Sequence, residues 1–582
     1  MREPSSTPNW RNFGSNLPAG SDSVPPGEGF PIKKILALNL GKWKDTAGLQ
    51  IAQTLHLFAY GYRRYREGKF ILRATSDLGL GAVFESIDNW ESFDQFEEFF
   101  KPWTFIRRPL VATRWAEDAE FGRQRLVGIN PAHIRRATPA DLADFLSGAA
   151  PKPVTIADGR TLEAVRESGQ LYFLDYRIFK DIVDTDVQEE LGKYPLAPTC
   201  MLHQTAAGEL LPVAIRLVDS RAEKGAHPDK IFTPSGPSDD WLTAKIAVAS
   251  ADAIFQGQVS HLLYAHLVVE PFAVSTYRNL PATHPLHQLL RPHFFNTLAI
   301  NELARRRFLG RGRFFDITSS VANMGSFELL TRAYTGKGIK GYRGKPYRFY
   351  ESALPHDLAA RDVRDLVGYH YRDDALLHWD AIQEYVGQVL KIAYPTPGRL
   401  ASDASLQAWM KELVSPELGG MDSLLPPDSE KQLAKLTSLD DLIAIATNVI
   451  FTATAYHAAV NFGQTDYYTW IPNAQFATYR SFGDVLNGSE KRQFKPLERL
   501  PGRAQSIRQM VLSRSLSMGP PLTSESLMTM KCLLQDPAAK QAFARYRERL
   551  AHIEREITER NRTREQPYLY LLPSMVPQSV AI

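Results

Sequence analysis

"SHLLYAHLVVEPF" (Ser260–Phe272) places two histidines, His261 and His266, five residues apart in an otherwise apolar run. On an ordinary α-helix two ligands share a face when they lie three or four apart. A spacing of five turns about 140° around an axis with 3.6 residues per turn. Both imidazoles reach one point only if the turn between them is widened. A π-type insertion does this, and such insertions favour functional sites. Taken alone, the pair leaves the bland reading ahead, in which one histidine faces the core and the other a polar pocket. The zinc-protease pattern does not fit, since it requires i,i+4 spacing and a Glu after the first His, where this chain has Leu262.

A second run changes the balance. "YHAAVNFGQ" (Tyr456–Gln464) sets His457 and Asn461 at i,i+4, on one face of another apolar helix. A buried His and Asn need partners. Two helices that each bring polar nitrogen or oxygen into a greasy interior fit a metal site in a bundle core. Three imidazoles and an amide oxygen suit iron better than calcium or magnesium, which prefer oxygen shells. The last run, "PYLYLLPSMVPQSVAI" (Pro567–Ile582), is apolar to its end, although chain termini are usually frayed and polar. A buried terminal carboxylate at Ile582 needs a counter-charge, which a metal supplies. The bland reading is an apolar tail pinned on the surface.

Around these runs the composition is that of a soluble globular protein, with 44% hydrophobic and 23% charged residues in 582. A net charge of +4 gives no case for nucleic-acid binding, and no RNA or DNA module is visible. Two cysteines, Cys200 and Cys532, exclude Cys-based zinc or iron–sulfur sites by ligand count and point to a reducing compartment. A cytoplasmic location is expected. Residues 1–30 are polar and rich in Pro, Ser and Gly, which predicts a flexible segment before a body spanning 31–582. Leu442–Phe462 is long enough to cross a bilayer, but Asn448, His457 and Asn461 mark it as a buried core helix.

Further helices are predicted at Asp45–Glu67, at Asp240–Val269 with Asp240 as a cap, after Pro292, from Ser438, and at Asp536–Thr563. Strand-like runs such as "LYFLDYRIF" and "LLPVAIRLV" are fewer and lie before residue 220. The expected fold is mainly α, one large helical domain with a small β portion and a metal between two long core helices. His284, His287 and His293 cluster around Pro285 and Pro292, which favours structural roles for them.

Taken together, these residues resemble the lipoxygenase family. The likeness runs from "WAEDAEFGRQRLVGINPAHIRR" (Trp115–Arg136) through "LYFLDY", "LLPVAIRL" and "IFTPSGPSDDWLTAK" into the histidine-bearing run. It resumes at "HWDAIQEYV" and "AYHAAVNFGQ" and ends at Ile582. It implies a lipoxygenase-type helical catalytic domain, in a compact version without the N-terminal β-barrel many members carry. It also implies a non-haem iron dioxygenase, manganese being the lesser alternative. The catalytic iron ligands fall on His261, His266, His457, Asn461 and the main-chain carboxylate of Ile582. The implied reaction inserts O2 into cis,cis-1,4-diene polyunsaturated fatty acids after hydrogen abstraction by a ferric hydroxide. Gln464 matches the residue that links the Asn ligand to substrate. Its usual partner, four residues before His261, is replaced by Gly257 between Gln256 and Gln258, so the relay is broken or rerouted there. Ala304 falls on the stereocontrol position, where Ala accompanies S hydroperoxides. Phe308 stands where Leu is common, and Leu262 completes the substrate-facing set. A monomer is expected, with peripheral membrane contact, if any, at Asp45–Glu67. The competing readings are a hydroperoxide isomerase and a silent lipid-binding protein on the same scaffold.

Overall fold

The first described residues already depart from expectation. The computed structural model describes residues 7–11, 17–25, 28–30, 70–73, 83–86, 90–104, 106–147, 153–182, 192–218, 230–338, 341–426, 435–479, 495–520 and 524–581. The helix expected at Asp45–Glu67 and the terminal Ile582 lie outside them. Strands β1 (Trp10–Arg11) and β2 (Gly20–Ser21) pair antiparallel. The Ser21 amide donates to the buried Glu270 carboxylate at 2.8 Å. Glu28 accepts from Tyr277 and from the Asn296 amide at 2.9 and 3.1 Å. The described part of the segment expected to be flexible is therefore docked. Its composition predicts little apolar burial, but backbone donors and one carboxylate suffice to pin it.

A second small pair, β3 (Phe70–Arg73) with β4 (Val83–Ser86), precedes helix α1 (Asp118–Val127). The main sheet follows, five antiparallel strands in sequence order. They are β5 (Arg135–Arg136), β6 (Leu171–Asp175), β7 (Thr199–Gln204), β8 (Leu210–Leu217) and β9 (Lys230–Phe232). The period of two sorts its side chains between two cores. Leu171, Phe173, Met201 and Ala214 face a small cluster with Leu142, Phe145, Leu162 and Val165. Tyr172, Leu174, Cys200 and Ile215 face the main body. Covering on both faces explains why "LYFL" (Leu171–Leu174) is continuously apolar rather than alternating. The β7–β8 register slips between Met201 and Leu202, beside Pro212, which lacks a ladder N–H.

Ser238–Phe255, Gln256–Leu267 and Val268–Asn279 form one unbroken rod, α2, whose middle piece is π-helical. It begins two residues before the expected cap. Pro237 is the N-cap, and Asp239 and Asp240 occupy the first turn, where their charge suits the helix dipole. Helix α3 (Thr297–Arg307) begins after Pro292 as expected, and α4 (Ala322–Thr335) follows. Helix α5 is His370–Ala393. The apolar rod α6 (Leu439–Tyr468) is 89% buried over its most hydrophobic window. Ser438 caps it by accepting from the Asp441 amide at 3.1 Å. Asn448 spends its amide on the Phe349 carbonyl at 2.8 Å, so this is a core helix. Helices α7 (Arg503–Leu516) and α8 (Pro537–Thr563) close the bundle. Asp536 caps α8, and Tyr546 stacks on Tyr385 of α5 at 4.6 Å.

Candidate metal centre and its apolar flank

The widened turn required by the five-residue spacing is present. His261 and His266 both lie in the π-helical piece Gln256–Leu267, where bonds close i to i+5 and residues five apart fall on one face. α6 carries its own π segment, Thr452–Tyr456, directly before His457. No spacing in the sequence announces this second one, because His457 and Asn461 lie on the regular helix beyond it. The three imidazoles meet between the rods. His261 Nε2 lies 3.1 Å from His266 Nε2 and 3.3 Å from His457 Nε2. All three residues are buried.

The tautomer of His266 follows from its neighbours. Asn301 Nδ2 donates to the His266 carbonyl at 3.0 Å and to Glu270 Oε2 at 2.8 Å. Asn301 Oδ1 therefore faces His266 Nδ1, 3.1 Å away, and accepts its proton. The His266 Nε2 lone pair is left pointing at the other two rings. Glu270 is held in turn by Arg305, with two contacts of 2.9 Å, and by the Ser21 amide. Burial, reinforced by the neighbouring His266 and His457, pushes the His261 imidazole well below its ordinary pKa. A single proton on His261 Nε2 serves one of its two contacts, whereas a cation at the meeting point serves all three rings. The residues thus fit a transition metal of intermediate softness, for which neutral imidazole is a common ligand.

Asn461 is fully buried one turn beyond His457. Its Oδ1 accepts from Gln464 Nε2 at 2.7 Å, and its Nδ2 donates to the Leu516 carbonyl at 2.9 Å. At Gly257 no side chain exists to continue the bridge. Its neighbour Gln256 instead spans the two rods, donating to the carbonyl of Val460, the residue before Asn461, and accepting from Tyr468 at 2.8 Å. Gln258 turns to Ser319.

The apolar candidates lie on α2 and on or at the end of α3, the helix that carries Asn301. Leu262 is buried next to His261, and Ala304 is buried on α3, three residues after Asn301. Phe308, at the end of α3, packs its ring against Phe314 and Phe315 at 6.0 and 5.9 Å. A side chain begun at Gly257 would meet Phe315 and Phe476 at 3.9 and 4.0 Å. Gly257 and Phe308 therefore share one aromatic wall. Gln256 is flagged by its place beside Gly257, whereas Glu270 and Asn301 escape a reading by sequence. A charged residue in "HLVVEPF" and an amide in "AINELAR" were the available signals.

The apolar tail is drawn inward. His293 Nδ1 donates to the Gln578 carbonyl at 2.8 Å, and Ser579 Oγ donates to the Phe295 carbonyl at 2.7 Å. Val580 and Ala581 are fully buried. The expected ligand Ile582 falls just beyond the described residues. Structural roles hold for the remaining clustered histidines. His284 caps Pro285–Leu290 and meets Asp403 at 3.1 Å, while His287 bonds the Leu280 carbonyl at 2.8 Å.

A family model for lipoxygenase matches residues 54–568. The polyunsaturated fatty acid lipoxygenase ALOX15 of Rattus norvegicus is 33% identical over 554 residues, covering 93% of this chain and 79% of the relative. The allene oxide synthase-lipoxygenase protein of Plexaura homomalla is 29% identical over 559 residues. That match takes in 89% of this chain and spans 49% of the coral protein. Among solved structures, a calcium-dependent 11R-lipoxygenase superposes with a TM-score of 0.80 at 27% identity, covering 99% of this chain and 79% of the other.

Proposed function

Since the chain belongs to the lipoxygenase family, a family of dioxygenases, we propose that it oxygenates polyunsaturated fatty acids at a cis,cis-1,4-diene and releases S hydroperoxides. The observation that carries the reading is the convergence of three imidazole nitrogens between two π-interrupted rods. We assign iron to this point, held by His261, His266 and His457, with Asn461 Oδ1 and the Ile582 carboxylate completing the set. When bound, iron supplies the one-electron chemistry that removes a hydrogen atom from the doubly allylic carbon.

The protein's own residues position and exclude. Asn301 fixes the His266 ring, and Gln464 fixes the Asn461 amide, each through one hydrogen bond. Leu262, Phe308 and Phe315 offer apolar surface to an acyl chain and keep water from the reacting carbons. The Ala304 methyl shields one end of the pentadienyl radical, which directs O2 to the other.

Purified protein should contain about one iron per chain, the single-site occupancy expected of such a cluster. Linoleate with O2 should generate conjugated-diene absorbance. Folded protein that holds iron yet leaves linoleate unchanged would refute the activity. Activity with manganese alone would refute the metal.

A further inference from the structure

One large cavity is lined by none of the three histidines. It lies behind the triad, between the main sheet and the segment 341–362, with a volume of about 1280 Å³. Two of its floor residues lie within three residues of the ligands in sequence. Tyr264 sits between His261 and His266, and Tyr456 directly precedes His457. Its walls carry nine Lys or Arg against six Asp or Glu, so the cavity favours anions. Most of these charges are already spent. Arg135 bonds Asp141 at 2.7 Å, Arg177 bonds Asp175 at 2.8 Å and Arg361 bonds Asp357 at 2.9 Å. At the exposed rim, Lys180, Arg343 and Lys345 have no carboxylate partner among the described residues.

The floor has a different character. The Tyr264 and Tyr347 rings stack at 4.7 Å and give their hydroxyls to the Ala333 carbonyl and Ser352. Phe255, Leu354 and Phe451 add apolar surface. Tyr371 is the exception. Its side chain is 1% exposed and lines the cavity, yet its hydroxyl has no hydrogen-bond partner among the described residues. The residue is buried while its hydroxyl faces the cavity, where a bound group can meet it.

We propose that this cavity is a second binding site, for an amphipathic organic anion with a polar group at its far end. The carboxylate or phosphate head sits at Lys180, Arg343 and Lys345, the body lies along Tyr264 and Tyr347, and the distal hydroxyl meets Tyr371. An occupant touches Tyr264 and Tyr456, so its binding reaches both ligand-bearing rods without entering the apolar flank at Ala304 and Phe308.

Saturated twelve-carbon probes test this without turnover, and so independently of the oxygenase reading. Calorimetric titration of the full chain would compare 12-hydroxydodecanoate, dodecanoate, dodecyl phosphate and dodecan-1-ol. The hydroxylated acid should bind most tightly and the neutral alcohol at least tenfold more weakly. The phosphate arm distinguishes a phosphorylated ligand from a carboxylic one. The surface pair Arg343→Glu with Lys345→Glu should weaken every anionic probe at least about tenfold, since even one lost charge-assisted contact has that scale. Tyr371→Phe should erase only the advantage of the distal hydroxyl. Hydrogen exchange should show protection at 341–362 on binding. Anion binding that neither variant alters, or none at all, overturns the proposal.

Discussion

Asn301 Oδ1 lies 3.1 Å from His266 Nδ1, and the same amide donates 2.8 Å away to Glu270. One side chain therefore sets both the tautomer and the tilt of a proposed metal ligand, and a carboxylate behind it sets the orientation of that amide. Removing the amide leaves His266 free to protonate either nitrogen and to rotate. Asn301→Ala should lower metal affinity about 10–100-fold, the usual range for outer-shell partners, read by competition with a chelator. Glu270→Gln should fall between the variant and the parent, because Arg305 still bonds a neutral amide. Equal affinity in all three proteins would show that the network is structural only.

Gly257 makes the opposite prediction, a gain. It lies in the π-helical piece of α2, and an added Cβ would touch Phe315 and Phe476 only at ordinary van der Waals distance. Nothing in the packing requires glycine there. Gly257→Ala should stabilise the fold by about 0.5–1 kcal/mol through the lost backbone freedom of the unfolded chain. Thermal denaturation would register this as a small upward shift, and a downward shift would mean that the backbone there resists a side chain.

The contrast between these residues marks what a sequence discloses. The widened turn at His261 and His266 is legible because a spacing of five in an apolar run is anomalous for an α-helix, and His457 joins them only through the second run and the family resemblance. Ser438 is legible as a cap because capping is local, decided within three residues, whereas Asp240, expected as a cap, lies in the first turn after Pro237. Glu270 is not, since its partner Ser21 lies 249 residues away and no local pattern encodes such a pairing. The π segment Thr452–Tyr456 is silent for another reason, because the residues it positions fall outside it. The docking of the N-terminal segment is not legible, because composition registers apolar burial and misses backbone donors. Strand β9, beyond the expected limit at residue 220, and the short β5 are silent because two or three residues carry no period.

His293 links acidity to the chain end. Burial lowers its pKa to about 4, against the partial compensation of its bond to the Gln578 carbonyl. The unfolded chain binds a proton near the ordinary value of about 6.5, so between these limits the unfolded state holds more protons than the folded one. Stability therefore falls as pH drops from about 6.5 towards 4, by roughly 3 kcal/mol if this group acts alone. His293→Asn keeps a donor for Gln578 and removes the titration. Its denaturation midpoint should decline less steeply over that interval than the parent's, and parallel declines would assign the acid sensitivity elsewhere.

Ala304 offers the most specific chemical test. It is buried on α3, one turn beyond the Asn301 that orients His266. Its methyl is thereby placed by the same helix that holds the proposed metal ligand. Ala304→Gly removes that methyl and opens one end of the substrate radical to O2, so the product should shift from S towards R and to the other end of the pentadiene. Glycine in a helix costs about 1 kcal/mol, which lowers the melting temperature slightly but does not change chirality. Chiral chromatography of linoleate products, read beside the melting curve, separates the two effects. A variant that melts lower yet returns the parent's enantiomer at the parent's carbon would show that the methyl serves packing alone.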